Sequence, residues 1–110
     1  MVQLENIFAN DGVGLKEELV NILISAGNIV RLEGVISPES ETPSRIYDQD
    51  EDEFVMIARG YAELEFEDER GAWNKVKMID GDYTYIPAHL KHRVIKTKQG
   101  TVWLALFYTK

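Results

Sequence analysis

The amino-acid sequence predicts a single all-β domain, a sandwich or barrel, with one short helix near its N-terminus. A chain of 110 residues is long enough for one hydrophobic core and too short for two. From residue 28 onwards, short apolar runs recur about every ten residues with turn-forming residues between them, which is typical of sandwiches and barrels. A composition of 45% hydrophobic and 28% charged residues indicates a folded globular chain rather than a disordered one.

The predicted helix spans Gly14–Ala26, in which apolar residues recur at helical spacing and share one face. These residues are Leu15, Leu19, Ile22 and Leu23. Gly27 follows as the expected C-terminal stop. We therefore expect residues 1–27 to form an N-terminal extension whose helix packs on a barrel formed by residues 28–110.

Seven β-strands are predicted after the helix, each an apolar or alternating run bounded by turn residues. In chain order they are Asn28–Ile36, Glu53–Ala58, Tyr61–Glu67, Trp73–Met78, Tyr83–Ile86, Arg93–Thr97 and Thr101–Tyr108. The third of them alternates strictly between apolar residues and glutamates, so it should have one buried and one solvated face. The segment Ser37–Ser44, rich in Ser, Pro and Glu, reads as a surface loop.

The turn at Asp68–Ala72 predicts a hairpin and the register of its two strands. The facing pairs would be Glu67 with Trp73, Glu65 with Lys75, Leu64 with Val76 and Glu63 with Lys77. A shift by one residue would place glutamates opposite apolar side chains, which disfavours it. This pairing also accounts for part of the uneven charge, because residues 1–71 carry an excess of acids and residues 72–110 an excess of bases.

Composition excludes several classes of function. The chain has no cysteine, which rules out disulfides, thiolate metal sites, iron–sulfur clusters and cysteine nucleophiles. A net charge of −7 argues against nucleic acid or an anionic membrane as the main partner. The N-terminal residues lack the pattern of a signal peptide, and no apolar run approaches the length of a membrane span, so we expect a cytoplasmic protein.

The segment Gly81–Lys96 resembles the second sequence motif of the cupin superfamily. The glycine, proline and histidine of that motif occur at the family's spacing, as Gly81, Pro87 and His92. The sequence departs from the motif at two positions: His89 stands where the family has a second glycine, and Lys96 stands where it has asparagine.

A segment upstream resembles the first cupin motif. Glu53 and Gly60 are separated by the six residues FVMIAR, as in the family. The two positions that the family fills with histidines are occupied here by Tyr47 and Gln49. The resemblance covers about residues 28–108 and implies a double-stranded β-helix barrel, often dimeric.

The resemblance implies a site at the mouth of the barrel, where inward-facing residues of neighbouring strands converge. The expected metal ligands are Gln49, Glu53 and His92, and the expected substrate-binding residues are Tyr47, Tyr85 and His89. One imidazole, one carboxylate and one amide oxygen suit a divalent transition metal such as Zn, Ni, Fe or Mn. The sequence therefore predicts a protein that binds such a metal and a small polar metabolite.

Each of these residues has an alternative role that the sequence leaves open. His92 could be a buried, hydrogen-bonded histidine, Glu53 a solvated acid at the start of a strand, and His89 a surface turn residue. Tyr47 and Gln49 could line a pocket that holds no metal. The alternative function is a metal-free, non-enzymatic ligand-binding or sensor domain, and a purely structural barrel is a third. Cations near the second motif suggest an anionic ligand or pairing with the acidic half of the chain. These are Lys91, Arg93, Lys96 and Lys98.

The last predicted strand, Thr101–Tyr108, is apolar on both faces. One face can fill the barrel, and the other needs a cover, which could be the N-terminal helix or a second subunit. We therefore expect a homodimer.

Overall fold

The computed structural model describes residues 2–109, which form eight antiparallel β-strands. The strands are β1 Leu19–Ala26, β2 Val30–Ser37, β3 Asp52–Arg59, β4 Tyr61–Glu67, β5 Trp73–Ile79, β6 Tyr83–Ile86, β7 His92–Thr97 and β8 Thr101–Tyr108. The predicted all-β class is confirmed, and each of the seven predicted strands lies within two residues of an observed one.

The strands form a large sheet in the order β1-β2-β8-β3-β6 and a small sheet in the order β5-β4-β7. The core lies between the two sheets and takes side chains from both. From the large sheet come Val35, Val55, Ile57, Ile86, Trp103 and Ala105, and from the small sheet Ala62, Leu64 and Met78. This two-sheet arrangement is the barrel that the sequence predicts.

No helix forms among residues 2–109, so the predicted helix at Gly14–Ala26 is wrong. Its second half is the strand β1, which pairs antiparallel with β2. Val20, Ile22 and Ile24 are β-branched and alternate along the chain, a pattern that favours an extended strand over a helix. Gly27, with a φ of 56°, begins the turn into β2 rather than ending a helix. The described residues therefore contain no helix that could cross a membrane.

The predicted hairpin register is confirmed: Glu63 lies opposite Lys77 and Glu65 opposite Lys75 in the β4–β5 pair. The ion pairs of these glutamates are not with the directly opposite lysines. Glu63 contacts Lys75 at 3.4 Å, and Glu65 accepts a 2.9 Å hydrogen bond from Arg93 on β7. The acidic strand β4 is thus flanked by basic side chains on both sides, which places part of the charge asymmetry inside the small sheet.

Candidate functional site

A cavity of about 560 Å³ lies between the two sheets. Alternate residues of β2, β3 and β8 face it, because successive side chains of a strand point to opposite faces. Core side chains form its apolar wall, among them Val55, Leu64, Ile86 and Trp103. Its polar wall comes from β2, from the start of β3 and from the segment 45–51.

Glu53 and His92 lie next to each other in the lining of the cavity. Glu53 is near the start of β3 in the large sheet, and His92 begins β7 in the small sheet. Glu53 Oε1 lies 3.7 Å from His92 Nε2. Both residues are buried, with exposures of 7% and 5%. The folding of the barrel thus joins a carboxylate and an imidazole that are distant in the sequence.

The orientation of the His92 ring is set by its surroundings. Nδ1 lies 2.8 Å from the carbonyl oxygen of Leu90, which can only accept a hydrogen bond, so Nδ1 carries the proton. Nε2 therefore presents its lone pair towards Glu53. The ring stacks between Tyr47 and Phe66, with centroid distances of 5.5 and 5.8 Å. Burial lowers the pKa of His92, more than the hydrogen bond to Leu90 raises it, so the ring is held in its neutral form.

Burial has the opposite effect on the carboxyl group of Glu53. It raises the pKa of Glu53 to about 7, although a hydrogen bond donated by Gln49 Nε2 at 3.1 Å to Oε1 opposes the shift. Glu53 is therefore close to half protonated at neutral pH. A carboxyl group and a neutral imidazole at this distance can exchange a proton with a molecule in the cavity.

The donors that face the cavity fit a divalent transition metal in chemical type, with one weak member. His92 Nε2 and a Glu53 oxygen are good ligands for such ions. Among residues 2–109 no three His, Cys, Asp or Glu side chains group closely enough to hold a metal. The amide of Gln49, which contacts Glu53, is the other expected ligand that lies beside this pair. In this structure the Gln49 amide directs its Nε2 towards Glu53. A rotation of the amide group by 180° would direct its oxygen there instead.

Among the residues expected to bind substrate, Tyr47 lines the cavity and stacks on His92. His89 lies outside the lining, in the turn before β7, with 63% of its side chain exposed. Its ring nitrogens contact Asp48 at 2.8 Å and Asp50 at 3.2 Å. Its φ of 67° is in the left-handed region, which explains why the cupin motif has glycine at this position. His89 therefore holds the turn against the 48–50 segment.

Tyr85 also lies outside the cavity lining. It follows Thr84 on β6 and points to the opposite side of the large sheet, where 63% of it is exposed. Its ring packs beside those of Phe54 and Tyr83, with centroids 5.5 and 6.3 Å away. The structure therefore brings Tyr47, Gln49, Glu53 and His92 together and leaves Tyr85 and His89 outside the group.

A charged cluster around Arg31 on the cavity wall was not predicted from the sequence. Its Nε donates to Glu33 at 2.7 Å, and its two terminal nitrogens donate to Glu51, each at 3.2 Å. The guanidinium also lies 4.4 Å from the centre of the Phe107 ring. The sequence feature that could have predicted this cluster is the spacing of Arg31 and Glu33 in a mostly apolar strand. Residues two apart in a strand point to the same side, so both lie on the inner face.

The cations near the second motif lie away from the cavity lining. Arg93 pairs with Glu65, Lys96 lies 3.3 Å from Glu41, and Lys98 lies over the ring of Tyr61. The sequence left two roles open for these cations, binding an anionic ligand or pairing with the acidic half of the chain. Arg93 and Lys96 do the second.

No protein-family model and no curated protein matches the sequence. Solved structures do. A protein from Ralstonia eutropha JMP134, named "putative mannose-6-phosphate isomerase", is 33% identical with a TM-score of 0.86, and the match covers 99% of this chain and 100% of that one. A cupin superfamily protein from Desulfitobacterium hafniense DCB-2 is 17% identical, with a TM-score of 0.70 over 86% of this chain and 80% of that one.

A third structure, of FeII HppE, is 13% identical, with a TM-score of 0.71 over 86% of this chain and 54% of that one. At such identities the last two matches show the fold alone. The full-length match at 33% identity agrees with the two motifs around Glu53 and His92 and with the two-sheet barrel. The chain is therefore a small cupin domain and belongs to the cupin superfamily.

Proposed function

We propose that this cupin domain binds a divalent transition metal and a small polar metabolite in the cavity of its barrel. The observation that carries the proposal is the buried pair of Glu53 and His92, whose polar atoms face each other 3.7 Å apart on the cavity wall. Gln49, Glu53 and His92 would hold the ion, which when bound would polarise an oxygen of the ligand or activate a water molecule. The FeII structure of HppE is consistent with a metal in this fold.

Two side chains of the protein, Glu53 and Tyr47, would contribute further chemistry at the site. While no ion is bound, Glu53, with its pKa near 7, accepts or gives a proton at neutral pH, and as a metal ligand it would stay ionised. Tyr47 stacks on the His92 ring and lines the cavity, where its hydroxyl would offer a second polar group to a ligand.

The charge of the cavity indicates the class of metabolite. Acidic side chains outnumber basic ones in its lining: Glu18, Glu33, Asp48, Glu51 and Glu53 against Arg31 and Arg45. The Arg31 guanidinium already donates to two carboxylates, so it is not free to bind an anion. A bound divalent ion would reduce this surplus of acids without reversing it, so a phosphate ester, as the name of the Ralstonia protein would suggest, should be disfavoured here. We therefore propose a neutral or cationic ligand.

The alternative is a metal-free ligand-binding or sensor domain, and the amide of Gln49 favours it. That amide already donates to Glu53, and only two strong donors remain for a metal. In a metal-free site Tyr47, Gln49, Glu53 and His92 would bind the metabolite through hydrogen bonds.

Elemental analysis separates the two functions. Tag-free protein is stripped with a chelator, dialysed against Zn, Ni, Fe(II) or Mn in turn, and freed of unbound ion before measurement. We expect about one ion per chain, lost in His92→Ala and in Glu53→Ala because each removes a strong ligand. The control is His89→Ala, which removes the other histidine of the chain from an exposed position outside the cavity.

Full metal content in folded His92→Ala and Glu53→Ala would contradict the proposed ligands. An unmodified protein that takes up none of the four ions would overturn the metal function in favour of the metal-free one.

A further inference from the structure

Arg45 is a cation of the cavity lining that has no carboxylate partner. Its guanidinium lies 4.8 Å from the centre of the Tyr47 ring, and among residues 2–109 it forms no ion pair with an acid. Arg31, in the same lining, is instead held by two carboxylates. A guanidinium that lies against an aromatic ring keeps the N–H groups on its edge free. Because Arg45 is also exposed to solvent, a ligand that enters the cavity can reach these donors.

Glu18 is an acid of the same lining that has no cation partner. Its side chain forms no ion pair and no hydrogen bond within the part of the chain that the structure describes. Partial enclosure by the cavity walls raises the pKa of Glu18, and the negative charge of Glu33 raises it further. The acidic wall of the cavity thus lacks a positive charge at Glu18, which an ammonium group of a ligand would supply.

The two unpaired charges are separated within one cavity. Glu18 and Arg45 both line it, but their charged groups do not form an ion pair with each other. Apolar side chains line the space as well, among them Val20, Val94 and Trp103. The volume of about 560 Å³ lies in the range of pockets that hold small organic ligands, about 300–1,000 Å³. The lining therefore suits a molecule that has a positive group, a negative group and a short apolar body.

We propose that the metabolite of the proposed function, on which this inference rests, is an amino carboxylate whose carboxylate binds Arg45 and whose ammonium group binds Glu18. Such a zwitterion has no net charge, which agrees with a lining whose surplus of acids disfavours anions. Arginine binds carboxylates through paired N–H donors, and these charge-assisted hydrogen bonds are strong. The Tyr47 ring contacts Arg45 and stacks on His92, so a ligand held by Arg45 lies beside the pair of Glu53 and His92.

Isothermal titration calorimetry with amino carboxylates of increasing length tests the proposal. Glycine, β-alanine and γ-aminobutyrate, which differ in the distance between their two charges, are added to chelator-treated protein and to metal-loaded protein freed of unbound ion. The reference ligands are n-propylamine and butyrate, each of which carries only one of the two charges. We expect at least one amino carboxylate to bind about ten-fold or more tightly than both reference ligands, because only it satisfies both unpaired groups.

Two variants assign the two ends of the ligand, with circular dichroism as the check on folding. Arg45→Met keeps an unbranched side chain against Tyr47 without the charge, and should weaken amino carboxylate binding about ten-fold, to the level of propylamine. Glu18→Gln should weaken it to the level of butyrate. The controls Arg70→Met and Glu69→Gln make the same changes of charge in the exposed β4–β5 turn, outside the cavity lining, and should leave the affinity unchanged.

The proposal is overturned if no amino carboxylate binds more tightly than both reference ligands in either form of the protein. It is also overturned if folded Arg45→Met or folded Glu18→Gln keeps the affinity of the unmodified protein. Binding of an amino carboxylate by a protein that takes up none of the four ions would support this ligand class although the metal function fails. Uptake of an ion without amino carboxylate binding would overturn the ligand class and leave the metal function standing.

Discussion

At the scale of single residues, the carboxyl group of Glu53 makes the stability of the metal-free protein depend on pH. Burial raises its pKa from 4.5 to about 7, so the folded chain holds this proton more tightly than the unfolded chain does. The resulting stabilisation is complete below pH 4.5 and is lost as the pH rises through 7. For a buried group this loss reaches about 3 kcal/mol, at about 1.4 kcal/mol for each pH unit.

We therefore expect Glu53→Gln, which does not ionise, to gain stability relative to the unmodified protein as the pH rises from 5 to 8. The gain should be about 2–3 kcal/mol, measured by urea unfolding in the presence of a chelator. The lowered pKa of His92 acts in the opposite sense, costing stability as the pH falls below 6.5, but it is present in both proteins. A difference that stays constant with pH, or one shared by the exposed turn variant Glu69→Gln, would contradict the prediction.

Spacing along the chain located Glu53 and His92, because each occupies a fixed position in its motif, and the packing of the two sheets then brings the two together. Arg31 and Glu51 have no such motif. They are 20 residues apart in the sequence and meet only through the pairing of β2, β8 and β3. Which atom of the Gln49 amide faces Glu53 depends on the folded hydrogen bonds, so no sequence pattern could predict it.

At the scale of elements, the chain passes from the large to the small sheet at Gly60, the single residue between β3 and β4. Its φ is 122°, and an added Cβ would lie 2.5 Å from Thr101 Oγ1 and 2.7 Å from Thr101 Cα. Gly60→Ala should therefore lower the free energy of unfolding by at least about 3 kcal/mol, because backbone strain and a clash with the Thr101 backbone act together. Gly71 is also at positive φ, but an added Cβ there would have no atom within 4 Å. Gly71→Ala should therefore lower the free energy of unfolding by only about 1 kcal/mol.

Urea unfolding of both variants measures these losses. If both variants lost the same small amount of stability, β8 would have to move away from the added Cβ at Thr101 at little cost. That result would contradict the prediction that the crossover at position 60 requires glycine.

The segment β1 shows where prediction from local sequence failed. Leu19, Ile22 and Leu23 satisfy helical spacing, while Val20, Ile22 and Ile24 satisfy the alternation of a strand, so the two patterns share residues. The strand forms because β2 offers a partner along the whole segment, and that pairing is not visible in the segment itself. The β4–β5 register was predictable because its charges tolerate a single alignment.

At the scale of the whole molecule, the distribution of charge predicts how salt would act on the homodimer that the sequence predicts. Basic side chains of the last third pair with acids of the first two thirds inside one chain, as Arg93 does with Glu65 and Lys96 with Glu41. The surplus of acids remains on the surface and gives each chain a net charge of −7. Two such chains repel each other, whereas the outer face of the large sheet, which is the side turned away from the cavity, carries apolar side chains such as Phe54 and Leu106.

Added salt should therefore strengthen the dimer. The Debye length falls from about 30 Å at 0.01 M salt to about 8 Å at 0.15 M, so the repulsion between protomers is screened while the apolar contact remains. We expect the dimer dissociation constant to fall several-fold between about 0.01 and 0.15 M NaCl, as measured by sedimentation equilibrium.

The variant Glu69→Lys, in the exposed β4–β5 turn, replaces a negative charge with a positive one, which makes the net charge of each chain less negative by two, and should reduce that response to salt. A dimer that weakens as NaCl is added would contradict this account, because it would mean that ion pairs, rather than apolar contacts on the outer face of the large sheet, hold the two chains together.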